Sequence, residues 1–360
     1  MRKQLFSLLF LILYMFPACT PKPESLLIGA KIYEHSGPYD QLFERWNELG
    51  INTGFCSLDL ISDQEFMSEA SDHNISTFVI FPVFFNPDTL AHSPDLAAIN
   101  RDGEAAAEEW VEFVCPSREG YRHQVVEKAR RIVRNHRPDG ISIDFIRHFV
   151  YWEKVYPGRD PASLPISCFD SVCIDHFQTE TGTAVPSSLI GVKEKADWIL
   201  ESHSDEWTRW RCGLITSMVE EITEASREEK PDILVNIHLV PWGEEDFDGG
   251  IKRVAGQDIN ALSEHVDMLS PMTYAHMVKQ EPPWIHDITD EIYLKTGSPV
   301  IPSIQVGKAY LNTEFDLDEF SETVEQALKP PSGGVVIWSW ERLIAEPEKV
   351  TLLKEILEDH

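Results

Sequence analysis

Eight short apolar runs with β-branched residues, each followed by a helical pattern, constrain the fold of this chain more than any other feature. The runs lie at residues 26–33, 51–57, 76–85, 140–146, 233–240, 267–274, 300–306 and 334–340. Helical patterns follow at 39–49, 63–72, 121–135, 207–228, 258–266, 284–295, 317–328 and 348–357. Strict βα alternation, with no two strands close enough for a hairpin, calls for parallel strands joined by right-handed crossovers. Eight such units close into a (β/α)8 TIM barrel, an α/β fold expected to occupy residues 25–360 as one domain. An open doubly wound sheet competes, but the chain lacks a glycine-rich first βα turn.

The N-terminus reads as an address. Arg2 and Lys3 precede an apolar stretch at 5–15, and Pro17-Ala18-Cys19 supplies a small residue before cysteine. Residues 1–18 are expected to be a lipoprotein signal peptide, Cys19 the lipidated residue, and 19–24, polar and proline-bearing, a tether. Phe16 and Pro17 depart from the usual lipoprotein box. An apolar run of about a dozen residues is short for a bilayer span, which needs roughly 20. The expected location is the bacterial cell envelope, at the outer membrane or cell surface, with the lipid at Cys19 as the only membrane contact.

Loss of residues 1–18 removes two of the 31 basic residues and none of the 60 acidic ones, taking the net charge from -29 to about -31. That balance excludes nucleic acid as a partner and disfavours strongly anionic substrates. With Cys19 lipidated, five cysteines remain, without CxxC spacing, so no metal and no cofactor are expected. Cys168 and Cys173 are close enough in sequence to pair in an oxidising envelope, and Cys56 reads as a small buried hydrophobe.

Two βα connections exceed the usual two to six residues: 86–120 after the third strand and 147 to about 205 after the fourth. In barrels such loops build the active site, so the cleft should lie over strands three to five. Side chains alternate along a strand, and polar residues at every second position late in each strand should line the mouth. Such a set exists: Lys31 and Tyr33, Ser142 and Asp144, Asn236 and His238, Tyr274 and His276, Ser303 and Gln305, with Trp338 and Trp340 ending the eighth strand. An unpaired polar group inside a barrel costs about 1 to 3 kcal/mol, so agreement across strands points to a ligand site. Taken singly, each such residue, His238 for example, is as compatible with a satisfied core position.

The sharpest local motif is Asp139-Gly140-Ile141-Ser142-Ile143-Asp144-Phe145-Ile146-Arg147, a buried strand ending in a carboxylate with arginine three residues on. Asp144 is placed to attack or stabilise an anomeric carbon and Arg147 to keep it ionised; the other reading is a structural ion pair at a strand end. This stretch resembles the fourth-strand signature of the glycosyl-hydrolase-like TIM-barrel superfamily, closest to its glycosyl-hydrolase-like family 10 group, with His148 where that group has tyrosine. Cys115-Pro116-Ser117, Gly256-Gln257-Asp258, Ser270-Pro271-Met272-Thr273-Tyr274 and Gly333-Gly334-Val335 are similar in order and strand assignment. The resemblance implies a glycan substrate and site roles for Asp144, Arg147 and Tyr274. Ile146 stands where chitinase-type family 18 barrels carry their glutamate, which argues against family 18 chemistry.

Glycoside hydrolysis needs two carboxyl groups. Glu341, just past the eighth strand, is the leading candidate for the second, with Glu34, Glu244, Glu245 and Asp246 behind it. Aromatic rings on which sugars stack are supplied in the loops and strand ends by Trp110, Tyr151, Trp152, Trp242, Trp284, Trp338 and Trp340. The expectation is a lipid-anchored glycoside hydrolase of an oligo- or polysaccharide, catalysed by Asp144 and Glu341. Lys31, Tyr33, Arg147, Trp152, Asn236, His238, Trp242, Tyr274, His276, Gln305, Trp338 and Trp340 are expected to bind substrate. The alternative is a non-catalytic glycan-binding lipoprotein on the same scaffold. A metal-dependent hydrolase built on His238, His276 and Asp144 is disfavoured, because the first strand offers Lys31 and Tyr33 instead of His-x-His.

Overall fold

The computed structural model describes residues 26–358, so the expected signal peptide, lipidated Cys19 and tether lie outside the described residues. Eight parallel strands form the barrel: β1 (Leu27–Ile32), β2 (Thr53–Cys56), β3 (Ser76–Pro82), β4 (Gly140–Asp144), β5 (Leu234–Leu239), β6 (Met268–Pro271), β7 (Ser303–Gln305) and β8 (Gly334–Trp338). Each pairs with its sequence neighbours, and β8 returns to β1. The seam between β6 and β7 is closed by parallel bridges Leu269↔Val300 and Met272↔Ser303. The alternation of eight strands with helices is thus that of a (β/α)8 barrel.

Alternation along each strand separates two cores. Ile28, Ala30 and Ile32 of β1, Ile141 and Ile143 of β4, and Val335 and Ile337 of β8 face outward into the large apolar layer beneath the helices. Inside the barrel, Phe55, Phe78, Met268, Ile301 and Val336 plug the N-terminal end, with the Phe55 and Phe78 rings stacked at 5.1 Å. Gly140 makes that plug possible, because a Cβ there would lie 2.2 Å from the Phe78 ring.

Above the plug sits a polar layer. Asn236 Nδ2 donates to Ser142 Oγ at 2.9 Å, Ser270 Oγ donates to Asn236 Oδ1 at 2.8 Å, and Ser142 Oγ is 3.0 Å from His238 Nε2. These groups bond to one another, which is how polar atoms are tolerated in a closed interior, and of them only His238 Nδ1 is left without a partner.

The two long connections are more ordered than their composition suggests. The first holds a small hairpin, Ala107–Glu108 with Val111–Glu112, and the second holds helices Ser171–Thr181 and Val192–Ser202 before the long Ser204–Glu229 helix. Two strand ends differ from expectation. Trp340 opens a short helix, Trp340–Ile344, and packs against Trp46 at 5.7 Å instead of extending β8. His276 lies in the helical turn Ala275–Val278 past β6. In both cases the chain leaves the sheet as soon as ladder pairing ends, so the apolar run outlasts the strand.

Candidate active site

The C-terminal ends of β1, β4, β6 and β8 and the two long loops enclose a pocket of about 180 Å³, smaller than the roughly 300 Å³ at the low end of drug-sized sites, so it suits one ring-sized group. Lys31, Tyr33, Asp144, Arg147, Trp152, Tyr274 and Trp338, all singled out in the sequence, line it together with Trp110, Phe145, Glu153, Met272, Met277 and Tyr310. Its rim is aromatic. Of the four exposed aromatic residues among the described ones, Tyr33, Trp110, Tyr293 and Tyr310, three stand at this pocket. Deeper in, Tyr274 stacks on Trp338 at 4.7 Å and 21°, with Trp152 tilted against it at 5.8 Å. Exposed rings over a pocket that also holds charges fit a sugar, whose CH faces are apolar and whose edges are polar.

Asp144 is the last residue of β4, and its side chain faces the mouth because Gly140, Ser142 and Asp144 share the inner face. The chain then turns sharply: Phe145 adopts φ +50°, a left-handed conformation costly for a bulky residue, and its N–H donates to Asp144 Oδ1 at 2.7 Å. The turn brings Arg147 back over the site, fully buried and held between the Phe113 and Phe145 rings at 5.1 Å each. Lys31 Nζ, also buried, lies 3.9 Å from Asp144 Oδ2.

Burial alone would push the Asp144 carboxyl up, but His238, Lys31, the Phe145 N–H and Arg147 oppose it and hold it below the usual carboxylate value. His238 is itself pushed down to about 3 by burial and by Lys31. It is therefore neutral near pH 7, and at that pH the charges that keep Asp144 ionised are Lys31 and Arg147. Lys31 is drawn down by its burial, against the pull of Asp144.

Glu153 was not singled out by the sequence reading. It follows Trp152 in a one-turn 3-10 helix, Trp152–Lys154, that dips into the barrel mouth. Burial pushes its carboxyl up to about 7, against the lowering effect of Arg147, and Asp144 adds to the rise. Two carboxyl groups in one pocket are thus driven apart, one below the usual carboxylate value and the other up to about 7, with Arg147 under the influence of both. Three buried polar atoms there have no hydrogen-bond partner: Arg147 Nε, Trp152 Nε1 and Glu153 Oε2. Two donors and an acceptor among the lining residues are thus without a protein partner.

The remaining residues marked in the sequence lie elsewhere. Asn236 and His238 belong to the polar layer below the pocket. Gln305 accepts from Met277 N at 2.9 Å and donates to Gly307 O at 3.0 Å, so it staples two loops. His276 Nδ1 is 2.9 Å from Glu319 Oε1 and its Nε2 is 3.1 Å from Thr313 Oγ1, on another part of the mouth. Glu341 Oε1 accepts from the N–H groups of Tyr33 and Glu34 at 2.6 and 3.2 Å, which ties the end of β1 to the turn after β8. Trp242 and Trp284 line a neighbouring hollow of about 280 Å³ with Arg159, Glu245 and Asp246.

No family model matches the chain, and no curated protein matches its sequence. Solved structures do match. The glycoside hydrolase domain of PgaB (BpsB) from Bordetella bronchiseptica aligns with 91% of this chain and 98% of its own length, at TM-score 0.69 and 10% identity. A β-galactosidase from the psychrophilic Marinomonas ef1 aligns at TM-score 0.67 and 12% identity over 92% of this chain but only 59% of its own. The spore cortex-lytic enzyme SleL of Bacillus megaterium follows at TM-score 0.51 and 10% identity, over 93% of this chain and 75% of its own. At such identities the likeness is one of fold: the chain is a (β/α)8 barrel of the kind these proteins share.

Proposed function

We propose that this protein is a glycoside hydrolase acting on an oligo- or polysaccharide. The observation that carries the reading is the pair Asp144 and Glu153, one carboxyl held ionised and the other held near 7, in one aromatic-rimmed pocket at the barrel mouth. Environments that drive two carboxyls apart divide the labour of glycosidic cleavage. Glu153, protonated, gives its proton to the leaving oxygen, while Asp144, ionised, attacks or stabilises the anomeric carbon or activates water. In this reading Glu153 takes the acid role expected for Glu341, and Glu341 positions the β1 loop that carries Tyr33. Two of the structural neighbours, the glycoside hydrolase domain of PgaB and the β-galactosidase, support the class of reaction. The finer assignment to the glycosyl-hydrolase-like family 10 group rests on the β4 motif and on the similar stretches at 115–117, 256–258, 270–274 and 333–335.

The same proposal holds that the protein is secreted and lipid-anchored at Cys19, supported by the basic, apolar and cysteine-ending N-terminal sequence. The acidic overall charge favours a neutral or cationic glycan. The test is release of reducing ends from plant, algal and bacterial-wall glycans by the chain from residue 24, beside Asp144→Asn. Activity lost in the variant supports the reading. Activity retained moves the chemistry away from Asp144, and binding without release in both proteins leaves a glycan-binding lipoprotein.

A further inference from the structure

The loops after β3 and β4 meet in a second buried cluster, none of whose members lines the pocket. Cys115 comes from the first loop and Cys168, Asp170 and Cys173 from the second; all four are buried. Their three sulfurs and one carboxylate oxygen lie within 4.8 Å of one another, and Cys115 Sγ is 3.2 Å from Cys173 Sγ. None of the five described cysteines is bridged. Sequence spacing pointed to a Cys168–Cys173 pair; the fold brings in Cys115 as a third thiol.

We propose that Cys115, Cys168, Asp170 and Cys173 bind a divalent soft-to-borderline metal ion, zinc by preference. Zinc–sulfur bonds of about 2.3 Å and zinc–oxygen bonds of about 2.0–2.2 Å in a tetrahedron separate neighbouring ligand atoms by about 3.5–3.8 Å. Atoms all within 4.8 Å of one another need only small shifts to reach that spacing, and the Cys115–Cys173 pair needs to open by about half an ångström. Three sulfur donors select zinc over calcium or magnesium, which take oxygen ligands.

Two independent observations point to a ligand. Asp170 Oδ1 caps its helix by accepting from Cys173 N at 2.7 Å, yet buried Oδ2 accepts no hydrogen bond, although Arg118 Nη2 lies 2.8 Å away at an unsuitable angle. Arg211 is fully buried with no carboxylate partner. It donates only to the carbonyls of Arg253 and Val254, and the groups beside it able to carry negative charge are the thiols of Cys212, Cys173 and Cys168. A buried guanidinium calls for an anion nearby.

Metal binding resolves both. The three thiols release three protons as they become thiolates; with the carboxylate and a divalent ion the site carries two net negative charges, which Arg118 and Arg211 offset. The Ile99 N–H, 3.1 Å from Cys168 Sγ, supplies the backbone donor that supports a metal-bound sulfur. All four positions are filled by protein, so the site is structural. It fastens the loop bearing Trp110 to the loop bearing Trp152 and Glu153.

The experiment is metal analysis of the full chain purified under reducing conditions, with thiol titration and intact mass on the same sample. One zinc per chain is expected, and cobalt exchange should give the visible bands of a tetrahedral thiolate site. Asp170→Asn, which keeps an acceptor for Cys173 N–H, and Cys168→Ser should weaken zinc binding about tenfold or more, whereas Cys212→Ser should not. The cobalt spectrum of the unaltered protein decides the matter even where a variant fails to fold. A metal-free protein that cobalt does not reconstitute overturns the proposal, whether its thiols are free or a mass about 2 Da low reveals a Cys115–Cys173 disulfide.

Discussion

Replacing Glu153 by glutamine should make the protein less active and, at alkaline pH, more stable. In the folded protein Glu153 titrates at about 7, against 4.5 for an unperturbed glutamate. Between those values the folded chain keeps a proton that the unfolded chain has released, so stability falls as pH rises through that window. Below 4.5 both states are protonated and nothing is lost; above 7 both are ionised and the loss is complete. At about 1.36 kcal/mol per pH unit, the interval amounts to about 3 kcal/mol. Glutamine does not titrate, and every other group is common to both proteins. The stability of Glu153→Gln relative to the parent should therefore improve by about 3 kcal/mol from pH 4 to pH 8, read from urea unfolding at the two pH values. Over the same range turnover should fall by about 100-fold or more, the usual cost of removing a general acid. A stability difference flat to within about 0.5 kcal/mol would mean that Glu153 titrates normally, and the acid role would fall with it.

Lys31→Met removes one of the cations that keep Asp144 ionised. The Asp144 carboxyl should then rise, and the acidic limb of the kcat/KM profile should move to higher pH, because the ionised form is lost earlier as pH falls; an unmoved limb would exclude Lys31 from that task. Trp338→Ala deletes the ring stacked on Tyr274 and should raise KM up to about tenfold with a smaller change in kcat, as expected for a platform worth about 0.5–1.5 kcal/mol. Gly140→Ala places a methyl group against the Phe78 ring and should destabilise the barrel by about 1–3 kcal/mol, seen in thermal unfolding and partly relieved by Phe78→Leu.

What the sequence reveals about this site is direction, and what it conceals is depth. Period-two alternation in β4 and β5 correctly puts Ser142, Asp144, Asn236 and His238 on the inner face, because a parallel strand buried on both sides leaves no other solution. It does not say which of them reaches the mouth. That depends on how far the Phe55 and Phe78 plug fills the barrel and on strand stagger, and these leave Asn236 and His238 bonded to Ser142 in a layer below the pocket while Asp144 emerges above it. Glu153 is hidden for a related reason. As a letter in a long loop it looks like any solvated acid, and its burial comes from the folding of that loop over the pocket it shares with Arg147, Trp152 and Tyr310. The cysteine cluster shows the same limit, since metal spacing rules see ligands near in sequence, whereas Cys115 lies more than fifty residues before Cys168. Loops that fold back over a barrel mouth join residues whose separation along the chain carries no information about their separation in space. For such a site the strand-end carboxylate can be read in advance, and its partner only once the loops are in place.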